Sequence, residues 1–175
     1  PPVRPPEGGH FYVATLDPAY KRDAFAFTIG HMERGIFVQD YIHAWRGARD
    51  APIRPGAVLD EINAITLQYG IRLLTSDQYH SESLMELALA RGMVIEPSPL
   101  TGELKHRMWS DFNSLLLQGK VKLVDHPDLL DELMKMERIL TKFGNTQYAG
   151  GGRRDDLAMV TALCAHKAMQ TGEPT

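Results

Sequence analysis

One cysteine, Cys164, stands among the 175 residues, so no internal disulfide can form. It lies among apolar residues at helical spacing and reads as an inert buried thiol. No Cys pair and no H-E-x-x-H run is present to hold zinc, and no G-x-S-x-G elbow presents a nucleophilic serine. Gly119-Lys120 is followed by Val121 rather than Ser or Thr, so the chain encodes no P-loop for ATP hydrolysis. No apolar run approaches the roughly 20 residues of a membrane-spanning helix, and no charged-then-apolar start resembles a signal peptide. A soluble, intracellular protein with no membrane partner is expected. Neither sign of charge dominates, with 19 Lys+Arg against 22 Asp+Glu and a net of −3. That excludes a wholly basic nucleic-acid coat and leaves room only for local basic patches. With 43% hydrophobic and 23% charged residues, the composition is that of a globular domain and not of a disordered, collagen-like or coiled-coil chain.

Four prolines and two glycines crowd Pro1 to Gly9, and the chain starts without Met, so residues 1–9 read as a linker within a longer chain. Residues 171–175 read as a flexible tail, and 10–170 as one domain. His10 to Asp17 is rich in β-formers and ends at Asp17-Pro18, a strand delivering a carboxylate at its C-terminal end. Ala24 to His31 and Ile36 to Trp45, joined by a turn around Glu33-Arg34-Gly35, complete an antiparallel meander. Phe11, Phe25, Phe27 and Trp45 follow strand spacing and are expected in the core. The pattern then changes to alternating helices and strands. Pro52 and Pro55 act as breakers before a helix carrying Val58, Ile62, Ile65 and Tyr69 and closed by Gly70. A strand expected to be buried on both faces runs from Ile71 to Asp77. Next come a helix from Ser81 to Arg91 capped by Ser81 or Ser83, a strand at 93–97, and a helix through Leu104, Met108, Phe112 and Leu115. A short strand is expected at Val121 to Val124 and a helix from Pro127 to Leu140, its proline in the first turn. Last come a glycine-rich loop from Tyr148 to Arg154 and a helix opened by Asp155-Asp156.

Three acidic stations therefore recur at comparable places: Asp17 and Asp77 at strand ends, and Asp155 with Asp156 at a helix N-terminus. In a mixed sheet these edges can converge. Each acid alone also suits a turn, a cap or the helix dipole. Together, carboxylates held so close repel, which divalent cations relieve, and oxygen-only ligands favour Mg²⁺ or Mn²⁺. Two such ions about 4 Å apart suit in-line hydrolysis of a phosphodiester. Asp17, on a rigid strand, is the natural bridging ligand, and His31 and His80 are weaker candidates to assist. Lys21-Arg22, Lys105-His106-Arg107 and Arg153-Arg154 are candidates for holding a phosphate backbone, extended by Arg46, Arg49 and Arg54. Two divalent ions would turn the net charge to about +1.

The meander with its first Asp, the alternating half with its second and the acid-led final helix resemble the RNase H-like superfamily. More closely, YVATLDPAYKRDAFAFTIG, LLTSDQYHSESLMELALARG and GRRDDLAMVTALCAH resemble the C-terminal nuclease domain of the large terminase subunit of tailed double-stranded DNA phages. The resemblance covers roughly residues 10 to 168. It implies an α/β, RNase H-like fold: a mixed central sheet, an antiparallel three-strand meander followed by alternating helices and strands, and helices on both faces. By position, Asp17 matches the first metal-binding aspartate, Asp77 the second, and Asp155-Asp156 the final acidic station. Within that pair the match does not fix the ligand; Asp156 is favoured, with Asp155 as second-site ligand or repositioning acid.

The resemblance further implies a Mg²⁺- or Mn²⁺-dependent endonuclease using two ions, cutting concatemeric viral double-stranded DNA at the start and end of genome packaging with little sequence preference. The implied partners are DNA, an ATPase motor domain in the same polypeptide, a small terminase subunit and a portal protein, in the host cytoplasm. Three other readings compete. A resolvase, transposase-type or RNA:DNA hybrid nuclease often carries a glutamate at one station, whereas all candidates here are aspartates. An actin- or sugar-kinase-like module usually has glycines after the first Asp, where this chain has Pro18-Ala19-Tyr20. A non-catalytic domain would use the acids only as caps and turns.

Overall fold

The computed structural model describes residues 4–18, 24–76, 82–99, 101–140, 146–150 and 155–175, with backbone alone for 137–140 and 146–150. Strands β1 (Val13–Asp17), β2 (Ala24–Glu33) and β3 (Ile36–Arg46) form the expected meander. The alternating half supplies α1 (Pro55–Gln68), β4 (Leu73–Ser76), α2 (Glu82–Leu89), β5 (Val94–Pro97), α3 (Gly102–Leu117), β6 (Val121–Lys122) and α4 (Pro127–Met134). A hairpin of β7 (Met136–Leu140) and β8 (Thr146–Gly150) precedes α5 (Asp156–Thr171). Six strands make one mixed sheet in the order β5-β4-β1-β2-β3-β6, with β4 parallel to β1 and to β5, and β6 parallel to β3.

Period-two alternation divides the sheet's side chains between two helical layers. Ala14 and Leu16 of β1, with Phe25, Phe27 and Ile29 of β2, pack against Val58, Leu59 and Ile62 of α1 and Leu84 and Ala88 of α2. On the other face, Met32 and Phe37 meet Met108 and Phe112 of α3 and the alanines of α5, while Leu129 of α4 joins Ala26, Ile42, Leu157 and Val160. Helices cover both faces, as expected.

Several local expectations are corrected. Pro55 does not break the chain but opens α1, at a first-turn position where a helix has no use for the missing N–H. Helix α4 stops at Met134 instead of Leu140, because Met136–Leu140 pairs with Thr146–Gly150. Helix-forming residues are drawn into a strand there by a partner outside any local window. Tyr148 to Gly150, read as loop, belongs to β8. Ser83 lies within α2, not at its cap, and Ser81 is outside the described residues. Strand β4 is buried on both faces from Leu74 to Ser76, with only its first residue, Leu73, exposed at 48%, whereas Phe11 is an exposed residue and not a core one.

Arg34 and Gly35 both have positive φ, 52° and 73°, the two-residue turn whose twist suits a hairpin. Their N–H groups donate to the carboxylate of Glu173, at 2.9 and 2.6 Å, so the chain's last residues meet the β2–β3 turn. At the other terminus, the Arg4 N–H donates to the Asp40 carbonyl and the Tyr69 hydroxyl to the Arg4 carbonyl. A bulge shifts the β2–β3 register between Ile29 and Gly30, and a Cβ at Gly30 would lie 2.7 Å from the Phe37 ring and 2.9 Å from the Val38 carbonyl oxygen. Neither neighbour has room to give. Gly30→Ala is therefore expected to lower unfolding free energy by about 1–3 kcal/mol in urea titration; an unchanged midpoint contradicts this packing.

Candidate acidic metal centre

Two contacts set helix α5 against β1, and a third ties it to β2. The Thr15 hydroxyl donates to the Val160 carbonyl at 2.8 Å, and the Cys164 thiol to the Val13 carbonyl at 3.5 Å. Four helical residues rise about 6 Å and two strand residues about 6.6 Å. The helix and strand therefore run antiparallel nearly in step, 164 beside 13 and 160 beside 15. The next rung pairs 156 with 17. The third contact agrees: the Ala24 N–H donates to Asp156 Oδ2 at 3.4 Å, and Ala26, two residues on, pairs with Asp17. Asp17 also shares with Thr15 the face of β1 turned toward α5, by alternation. Asp156 is 9% exposed and Asp17 half-buried.

Parallel pairing of Ala14 with Leu74 and Thr15 with Thr75 makes β1 and β4 end at the same sheet edge. Strand β4 ends at Ser76. Asp77, the next residue in sequence, lies outside the described residues, as do His80, Lys21, Arg22, Arg153 and Arg154. Among the described residues, no group of three or more His, Cys, Asp or Glu is arranged to hold a metal ion. Two of the four acids singled out in the sequence, Asp17 and Asp156, are brought to one edge. Asp155 sits at the cap position of α5 with its side chain making no capping hydrogen bond.

The N-terminal turn of α5 is capped instead from another element. Glu132 of α4, 4% exposed, accepts the Ala158 N–H at 2.8 Å through Oε2. Burial raises the Glu132 pKa above the ordinary carboxylate range; the Ala158 N–H opposes that rise and the nearby Asp156 charge reinforces it. Sequence reading missed this residue. The signal was present: Glu132 interrupts the Leu129, Leu133 stripe of α4 at a place where an apolar residue belongs.

Of the other candidates, one reaches this edge and the rest fall elsewhere. Arg46 ends β3 opposite Ala24, so it belongs to the acidic edge, where it pairs with Asp128 of α4 at 3.4 Å. Arg49 and Arg54 are exposed in and after the following loop. Lys105 and Arg107 lie on α3; Arg107 is 3.9 Å from Glu103, and its charge acts on His166. His166 is ten residues along α5 from Asp156, about 15 Å. His31 lies five residues along β2 from Ala26, about 17 Å from this edge. It is buried and bonded to Asp40 at 2.6 Å, which removes it from the acidic centre. A trough of 690 Å³ bordered by Tyr12, Tyr69, Arg72 and Lys167 runs from the start of β1 along β4, and neither Asp17 nor Asp156 lines it.

The arrangement is that of an RNase H-like α/β fold with acids at the shared end of its first strand and last helix. It is the fold of the large terminase nuclease domains of tailed phages. The large terminase nuclease of thermophilic phage G20c superposes with a TM-score of 0.78 at 22% identity, covering 94% of this chain and 86% of that one. Its forms with bound magnesium and bound cobalt give 0.77 and 0.76, each at 22% identity over 94% of this chain and 85% of theirs. The large terminase of bacteriophage HK97 gives 0.78 at 16% identity, over 95% of this chain and 41% of that one. No protein-family model and no curated protein matches by sequence. Among the described residues no helix is long and apolar enough to cross a membrane.

Cys164 is fully buried and burial pushes its thiol pKa up, so it stays protonated and shielded. A disulfide reagent at pH 8 should leave it unmodified in native protein and label it fully in denaturant; rapid native labelling would contradict the close α5–β1 contact.

Proposed function

We propose that this chain is a divalent-metal-dependent endonuclease domain that cuts double-stranded DNA during viral genome packaging. The observation that carries the reading is the in-step run of α5 along β1, which brings Asp156 and Asp17 to one edge within a large terminase nuclease fold. Asp17, Asp77 and Asp156 would hold Mg²⁺ or Mn²⁺, in two ions, with Asp155 as an additional ligand or repositioning acid. The donor set fits, being carboxylate oxygen throughout, with Asp156 buried at an edge where like charges accumulate. The bound ions would supply the charge that lowers the pKa of attacking water and stabilises the leaving 3′ oxygen. The magnesium- and cobalt-bound forms of the phage G20c nuclease support a divalent requirement.

The chain's own residues do the remaining work. Strand β1 and helix α5 hold two carboxylates rigidly, so little reorganisation is needed when charge develops on the phosphate. Arg46 stands at this edge, and Lys21, Arg22, Arg153 and Arg154 adjoin the acids in sequence; these would hold the phosphate backbone without reading bases. Lys105 and Arg107 would act farther along the surface. The net charge of −3 supports weak, salt-sensitive DNA binding by this domain alone. Tight holding and site choice would fall to an ATPase motor domain of the same polypeptide, a small terminase subunit and a portal, in the host cytoplasm. Coverage of only 41% of the HK97 large terminase supports such a division of labour.

Asp17→Asn, Asp77→Asn and Asp156→Asn are each expected to abolish nicking of supercoiled plasmid in Mn²⁺, as EDTA should, while circular dichroism and melting temperature stay near wild type. Removing one acid relieves repulsion while destroying a ligand. Full activity in all three variants would refute the assignment. Preferential cutting of RNA:DNA hybrid over duplex DNA would replace it with a different RNase H-like nuclease.

A further inference from the structure

An N-terminal helical turn leaves backbone N–H groups without intrahelical partners, and the residue before the helix ordinarily caps one with its own side chain. In α5 that residue is Asp155, a suitable capping type, yet its carboxylate makes no such bond. The Ala158 N–H, at the third helical position, goes instead to Glu132, 26 residues earlier and on a different helix. Glu132 is held there by its position between Leu129 and Leu133, which pack into the α4–α5–β2 interior. Leu157 and Val160 of α5 enter that same cluster.

We propose that Glu132 is a positioning residue for the acidic centre. By capping α5 from α4, it fixes the first helical turn that carries Asp156 and leaves the Asp155 carboxylate out of the cap, available to cations. A self-capping Asp155 would turn its oxygens back onto the Ala158 N–H and away from any ion. The role rests on the metal-centre reading of the acidic edge. It differs from ligation: Glu132 acts through the helix backbone, and what it must supply is an acceptor oxygen at that place. Burial makes this acceptor hard to replace by water, since Glu132 is 4% exposed.

The test uses the 175-residue protein with Mn²⁺ as probe, read by isothermal titration calorimetry, plasmid nicking and amide hydrogen exchange. Glu132→Met keeps the volume and removes the acceptor. Glu132→Gln removes the charge and keeps an acceptor oxygen. Glu132→Met is expected to weaken Mn²⁺ binding by roughly 10–100-fold and to speed exchange at Ala158. Glu132→Gln is expected to restore protection at Ala158 and to bring Mn²⁺ affinity and nicking close to wild type. A folded Glu132→Met protein with wild-type Mn²⁺ affinity overturns the proposal. So does a Glu132→Gln protein that keeps Ala158 protected but loses Mn²⁺, because Glu132 would then act as a ligand or a required charge. This second outcome decides the matter even where Glu132→Met does not fold. Wild-type protein that fails to bind Mn²⁺ overturns the metal-centre reading, and the role of Glu132 with it; wild-type binding separates the two.

Discussion

Helix α5 lies close on the sheet because the residues it turns inward are small, with Ala158, Ala162, Ala165 and Ala168 all buried beneath α3 and against β1 and β2. Small side chains bring backbones near enough for direct polar contact, and the Thr15 and Cys164 bonds to opposite backbones are the result. A layer of buried polar groups fixes the same contact laterally. Gln39 donates to both Thr28 and Thr161 and accepts the Val124 N–H, tying β3, β2, α5 and the segment after β6 into one network. Each of these groups would cost free energy if buried unpaired, so the helix has little freedom to slide. Its register along β1 decides which residue of α5 meets the end of that strand, and that residue is Asp156.

An acidic edge built this way carries its own electrostatic cost. Asp17 and Asp156 converge, and Glu132 adds a third carboxylate whose protonated form is favoured by burial and by the Asp156 charge. The helix N-terminus offsets part of that cost through its partial positive charge. Arg46, ending β3 at this edge, opposes the rise in the Glu132 pKa and pairs with Asp128. Under the proposed function, divalent cations would neutralise further charge at this edge.

Much of this organisation is legible along the chain, for physical reasons that differ by element. The meander is written in local signals: alternating apolar positions in AFAFTIG and a turn whose Gly35 accepts positive φ. The acid at the end of β1 and the pair opening α5 are recognisable because carboxylates mark strand ends and helix starts in ordered succession. What escapes is what depends on distant partners. Met136–Leu140 has the composition of a helix and becomes a strand only because Thr146–Gly150 pairs with it. Pro55 reads as a breaker in sequence, and it opens α1 instead because Val58, Leu59 and Ile62 just after it pack against the sheet. Glu132 is visible only as a charge in an apolar stripe, and its significance lies in the Ala158 N–H it meets across the α4–α5 contact. The burial of His31 against Asp40, likewise, accompanies a bulge in the β2–β3 ladder that no residue pattern announces.

The central claim is that the α5–β1 register assembles a carboxylate centre for divalent cations. Anomalous diffraction from crystals of this protein soaked in Mn²⁺ tests it most directly. The account predicts strong anomalous peaks within coordination distance of Asp17 and Asp156 at the C-terminal end of β1, with Asp77 joining them. Manganese bound elsewhere, with these carboxylates left without an ion at saturating concentration, would contradict it.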